Sequence, residues 1–391
     1  MTFYRTLMIA SALMGLTACG GEPSADNDKV EDAATQEQGN GSIAAESFGT
    51  TASGQETTLI TLTNANGLSV SATDYGATII SIMVPDRGGQ LANVNLNVDD
   101  LAGYEAGASY FGAVAGRYAG RIGGAQFTLD GITYQLPENG GGNTLHSGPD
   151  GYNQMMWQSE TAMTDAGPSV TFSRLSPAGE QGFPGNLEVS VTYTLTDENA
   201  LNIDYQATTD AATPINLTQH AYFNLNGGKG DVLDHLLTVN ADAILALGDD
   251  LIPTGNYLAV DDTPFDFRTA TAVGDRVDAD HEEIVRGNGY DHNWVLNKED
   301  GALALAAVLT DPKSGRRMET WTTEPGLQIY TGNWLDGSLR RGALSFTKRT
   351  GICLETQHFP NSPNEPGFPS TILRPGEVFT STTSYRFSTV E

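Results

Sequence analysis

Gly351-Ile-Cys-Leu-Glu-Thr-Gln-His-Phe-Pro360 reads as a β-strand. Ile352, Leu354 and Thr356 alternate with Cys353, Glu355 and Gln357, the period of two that sends successive side chains to opposite faces. One set is mostly apolar; the other carries a single carboxylate between two uncharged neighbours. If the strand turns Glu355 inward, partial desolvation raises its pKa and makes it a base that works near neutrality. The plainer alternative is a Glu on a solvated sheet face.

The rest of the chain extends the β pattern. Its 391 residues include 45 Gly and 17 Pro, which punctuate short apolar alternations, and this points to an all-β chain. Leu68, Val70 and Ala72 share a face, and the apolar run Ala77–Val84 stops at the turn Pro85-Asp-Arg-Gly88. Gln126–Leu136 is a hairpin around Asp130-Gly131, a dipeptide that tolerates the positive φ of a tight turn. Leu187, Val189, Val191, Tyr193 and Leu195 form a long strand that returns through Asp197–Asn199 into Leu201, Ile203, Tyr205 and Ala207. Further strands are expected at 236–240, 294–297, 303–310, 318–322, 327–331 and 378–387, with helical turns near 98–104 and 273–277. The fold class is a large antiparallel β-sandwich with long loops, spanning 48–391.

The N-terminus reads differently. Residues 1–18 are expected to be a lipoprotein signal peptide: Arg5 gives the positive start, and Thr6–Thr17 is an uncharged, largely apolar run too short to span a membrane. Leu16-Thr-Ala-Cys19 resembles the site at which a bacterial lipoprotein is processed and its Cys lipidated. Residues 19–47, rich in Glu, Asp, Ala, Gln, Gly and Ser, are expected to be a disordered acidic tether. The chain is then exported and periplasm-facing, lipid-anchored through Cys19 to a bacterial membrane, the outer one by preference. Of two cysteines, an acylated Cys19 leaves Cys353 without a disulfide partner. A net charge of −28 with no basic run excludes nucleic acid and anionic surfaces as partners.

Few residue patterns carry chemistry. There is no His-Glu-x-x-His, no Cys pair at ligand spacing and no Gly-x-Ser-x-Gly elbow, so neither a metal site nor a serine triad has support. Phosphate cradling lacks its Gly-rich strand-to-helix loop. Six histidines remain. His281 lies in an acidic stretch and reads as a solvated loop residue; His235 and His358 have no distinctive context. His146, His220 and His292 sit among polar and aromatic residues beside Gly or Pro, as residues on functional loops do. A His with Glu355 is the one acid–base pairing left open. His, Asp, Gln, Arg and aromatic side chains together suit a sugar, whose hydroxyls need fixed donors and acceptors and whose apolar faces pack on rings.

In order and spacing, these segments resemble the galactose mutarotases (aldose 1-epimerases) from Phe48 to Phe387. The matching stretches are Asp74–Thr78, Val84–Arg87, Gly116-Arg-Tyr-Ala-Gly-Arg-Ile122, Asn143–Gly148, Pro214–Leu225, Tyr290-Asp-His292, Glu324–Asn333, Cys353–Pro360 and Leu373–Glu377. The resemblance implies a β-sandwich whose groove holds a free aldohexose. It puts the general base on Glu355, the general acid on His220, and sugar-holding roles on Arg121, His146, Tyr222, Asp291 and Gln328. It implies neither cofactor nor metal, because ring opening and closure move only protons. Two departures stand out: Gly120 where the family commonly has Asn, and Gln219-His220-Ala221 where Asn-His-Ser is commoner. The expected activity is interconversion of α- and β-anomers of free hexoses such as galactose and glucose. A catalytically weak sugar-binding lipoprotein on the same fold is the alternative. A phosphosugar epimerase would lean on Arg117 with Arg121.

Overall fold

In the computed structural model, residues 41–108 and 110–391 are described; the signal segment, Cys19 and the tether up to residue 40 lie outside them. Two large antiparallel sheets carry the fold. The larger has nine strands in the order 158–164, 167–176, 187–195, 200–209, 379–389, 316–322, 304–310, 236–239 and 271–272. The second has six: Tyr222–Phe223, Ile352–Gln357, Gly326–Tyr330, Asp291–Leu296, Ala241–Leu247 and Pro253–Ala259. A five-stranded sheet, Ser42–Thr50 through Leu91–Asn93, runs in simple sequence order.

The alternation in the sequence explains the packing. Val189, Val191, Tyr193, Leu201, Ile203 and Tyr205 point to one side of the nine-stranded sheet and join a single core with Ile352 and Leu354. The sheets touch where Thr356 and Thr383 hydroxyls meet at 2.5 Å, where Tyr385 donates to the Leu354 carbonyl at 3.1 Å, and where the rings of Phe223 and Tyr385 meet edge to face. Each large apolar side chain removed from water here contributes about 1.5–3 kcal/mol. The 126–136 hairpin forms with both Asp130 and Gly131 at positive φ, 51° and 81°, as a two-residue loop requires.

The strand Ile352–Gln357 is buried on both faces. Ile352, Leu354 and Thr356 face the core, so the inward option for Glu355 is the one realised. Other expectations shift. The first strand starts at Ser42, inside the stretch read as tether, because its backbone pairs with Glu56–Thr63 and its Phe48 packs beside Tyr104. Ladder hydrogen bonds thus order a segment whose composition alone cannot. The turns near 98–104 and 273–277 form as a helix at Leu101–Glu105 and a 3-10 turn at Val273–Asp275. His281 does not float in a loop: its ring caps the helix Glu282–Gly287 by accepting from the Glu283 N–H. The strands at 158–164, 167–176, 241–247 and 253–259 lacked clear alternation and were not anticipated; 158–164 is an edge strand exposed throughout.

Candidate active site

Three neighbouring strands of the six-stranded sheet lay polar side chains in rows. Asn293, Gln328 and Glu355 pair across one row; Asp291, Tyr330 and Cys353 across the next. Tyr222 pairs with Cys353 and brings the preceding His220 to the edge of the same face. His220 is pinned by its backbone: its N–H donates to the Ala113 carbonyl and its carbonyl accepts from Gly112. Gly112 must be glycine there, since it sits at φ 65° and a Cβ would come within 2.0 Å of the Ile79 carbonyl oxygen. The two-strand ladder of Arg121–Ile122 with Thr144–Leu145 adds Arg121 and His146.

These elements enclose a cavity of about 200 Å³. All seven residues expected at the site, Glu355, His220, Arg121, His146, Tyr222, Asp291 and Gln328, line it together. Nε2 of His220 lies 3.6 Å from Oε1 of Glu355, and both side chains are almost completely buried. Gln328 donates to Asp291 at 2.8 Å, and the Arg121 guanidinium stands 3.6 Å from the other Asp291 oxygen. Tyr330, Asn293, Trp334, Gln357 and Tyr110 also line the cavity and were missed in the sequence. Tyr110 packs its ring on His146 and His220, at centroid distances of 4.6 and 5.6 Å. Tyr110 and His146 both hold left-handed backbone, φ 63° and 48°, a conformation that bulky residues keep where a surrounding site demands it. No periodicity announces such residues.

The electrostatics separate the groups. Burial, helped by the negative charge of Asp291 and opposed by Arg121, pushes Glu355 well above the usual carboxylate range. Burial pulls His220 down to about 4. Between the lowered value of His220, about 4, and the elevated value of Glu355, the pair therefore holds one proton, mainly on Glu355. Burial, His220 and Arg121 together push His146 well below its ordinary value. The two histidines also differ in tautomer. Nδ1 of His146 accepts from the Gly120 N–H at 3.2 Å, so its ring hydrogen sits on Nε2. Nδ1 of His220 faces Sγ of Cys353 at 3.6 Å and the carbonyl of its own residue, which can only accept. Its ring hydrogen therefore sits on Nδ1, and Nε2 is left to exchange a proton with Glu355.

His146, His220 and Glu355 offer ligand atoms within 4.8 Å of one another, near enough for one cation. The hydrogen on Nε2 of His146 argues against it, because a metal needs that lone pair free. Arg117 is not at the site. It is buried and donates to the carbonyls of Ser176, Pro184 and Gly185 and to the hydroxyls of Ser176 and Thr213. The basic pocket of a phosphosugar site is thus reduced to Arg121, itself beside Asp291. His292 and His235 are buried elsewhere, and His358 is paired with Glu324 at 2.5 Å.

A buried acid–base pair holding one proton, set among aromatic rings and amides on a β-sandwich, defines a proton-transferring site for a neutral, hydroxyl-rich molecule. Comparison with known proteins agrees. The family model described as aldose 1-epimerase matches residues 58–386. Over 323 residues the chain is 43% identical to the galactose mutarotase of Rattus norvegicus, covering 82% of this chain and 91% of that one. It is 38% identical over 336 residues to the aldose 1-epimerase of Escherichia coli K12, covering 85% and 96%. The solved galactose 1-epimerase of Lactobacillus acidophilus NCFM superposes with a TM-score of 0.79 at 28% identity, over 90% of this chain and 99% of that one. The chain belongs to the aldose 1-epimerase family.

Proposed function

We propose that the chain interconverts the α- and β-anomers of a free aldohexose, with Glu355 as base and His220 as acid. The observation that carries this is the buried pair at 3.6 Å, whose pKa values burial drives in opposite directions. Moving the shared proton from Glu355 to Nε2 of His220 creates the working charge state without changing net charge, and the nearby Arg121 favours the carboxylate. The carboxylate then takes the hydrogen of the anomeric O1 hydroxyl while Nε2 gives its proton to the ring oxygen. The C1–O5 bond breaks as the C1–O1 double bond forms, rotation about C1–C2 presents the other carbonyl face, and the same two transfers reverse on closure. Polarimetry of freshly dissolved α-galactose and α-glucose tests the reading: added protein should speed the drift to equilibrium, and an unchanged drift for every aldose would overturn it.

Asp291 belongs in this scheme to sugar binding, fixed as it is by Gln328 and Arg121. Asp291→Asn should weaken binding and turnover together, since a buried hydrogen bond to a charged group contributes about 1.5–3 kcal/mol. It should also move the alkaline limit of activity to lower pH, because removing a like charge lets Glu355 ionise more easily. Unchanged KM with unchanged kcat would take Asp291 out of the site.

The reading extends to location. Leu16-Thr-Ala-Cys19 supports processing and lipidation at Cys19, with the chain held at a bacterial membrane, facing the periplasm. One acyl chain binds a bilayer only marginally, so stable attachment calls for several on the processed residue. Cys19→Ala protein should leave the membrane fraction; if it stays there, the anchor is elsewhere.

A further inference from the structure

Gln357 lies two residues beyond Glu355 on the same face of the same strand, and Asn293 lies in the row of Gln328 and Glu355. Both line the cavity, and both are essentially inaccessible, at 0% and 1% exposure. Yet Oε1 and Nε2 of Gln357, and Oδ1 and Nδ2 of Asn293, have no hydrogen-bond partner among the described residues. Buried amides in folded proteins are nearly always satisfied, and four orphaned atoms on two residues that line one cavity call for an explanation.

Two glycines make the room in which these amides stand. Gly326 pairs with Gln357 and with Val295, and a Cβ there would lie 2.4 Å from Oδ1 of Asn293. Gly120 has φ 82°, and a Cβ there would lie 3.3 Å from Nε2 of Gln357 and 3.1 Å from Cβ of Pro360. A side chain at either position would crowd or engage the amides; glycine leaves them room and supplies no partner of its own.

We infer that Gln357 and Asn293 form a second polar row of the sugar site, holding ring hydroxyls other than the anomeric one. This rests on the mutarotase reading above and names what that reading leaves unassigned. An amide offers an acceptor oxygen and two N–H donors side by side, the pattern that two neighbouring hydroxyls of a pyranose match. It is uncharged, which suits a neutral sugar and offers a phosphate no countercharge. Two strand residues advance roughly 7 Å, so Gln357 reaches a part of the ring away from the centre that Glu355 serves. The row therefore bears on which aldose is preferred, while Glu355 and His220 bear on rate.

The test pairs variants with a series of monodeoxy galactoses. Gln357→Leu and Asn293→Leu should each raise KM for galactose by roughly ten-fold or more, with kcat changed much less. For the deoxy sugar lacking the hydroxyl that an amide holds, wild type and the matching variant should perform alike, because that contact is already gone. Unchanged KM, or the same loss on every analogue, would overturn the inference. A wild-type crystal soaked with galactose decides independently of whether the variants fold: hydroxyls should lie within hydrogen-bond distance of both amides, and a sugar bound without touching either would refute it. Wild type inactive on every aldose would instead strike the mutarotase reading.

Discussion

Glu355→Gln is expected to leave galactose binding in place while mutarotation falls by on the order of 10²–10⁴, the contribution of one positioned acid–base group. The amide keeps the shape of the side chain and removes its ability to take a proton from O1. Folding should tolerate the change, because burial already favours the uncharged carboxyl at this position and Oε2 has no partner to lose among the described residues. Polarimetry and calorimetric titration with galactose on the same preparation separate the two effects. A variant with wild-type turnover would mean that Glu355 is not the base, and that the site binds sugar without this chemistry.

His220→Asn should lower turnover by a similar factor, since ring opening needs a proton delivered to O5 as much as one withdrawn from O1. The losses should not multiply in the double variant, because both residues serve one coupled transfer. The wild-type pH profile follows from the shared proton. As pH falls through about 4, His220 gains a proton while Glu355 keeps its own, and no base remains. As pH rises through the elevated value of Glu355, the last proton leaves and no acid remains. Activity should be flat between those limits, with the alkaline edge above the ordinary carboxylate range. Rates measured from pH 3 upward check this; an acid edge near 6.5, the ordinary histidine value, would mean that His220 titrates as a solvated ring.

Alternation at 187–195 and 201–207, together with the Asp130-Gly131 turn, dictates sheet structure locally, so the sandwich could be read from the chain. The site residues were legible for another reason: Glu355, His220, Arg121, His146, Tyr222, Asp291 and Gln328 stand in ordered motifs whose resemblance to a family is specific, although they are distant in sequence. What the linear pattern cannot encode is which face of a strand is dry and what stands opposite it. Gly116-Arg-Tyr-Ala-Gly-Arg121 contains two arginines of equal promise. Only packing sends Arg117 among carbonyls and Arg121 into the cavity. Tyr110 carries no signal of its own, and becomes part of the site because a left-handed turn lays it on two histidines. Gln357 and Asn293 read as ordinary polar strand residues until the glycines at 120 and 326 are seen to leave their amides without partners. The sequence by itself determined the clearly alternating strands and the kinds of groups at the site, while the strand from Ser42 and the edge strand 158–164 form only through their ladder partners. Tertiary structure alone decided burial, and burial sets the proton between Glu355 and His220, since the cost of charge at a buried site depends on everything that surrounds it.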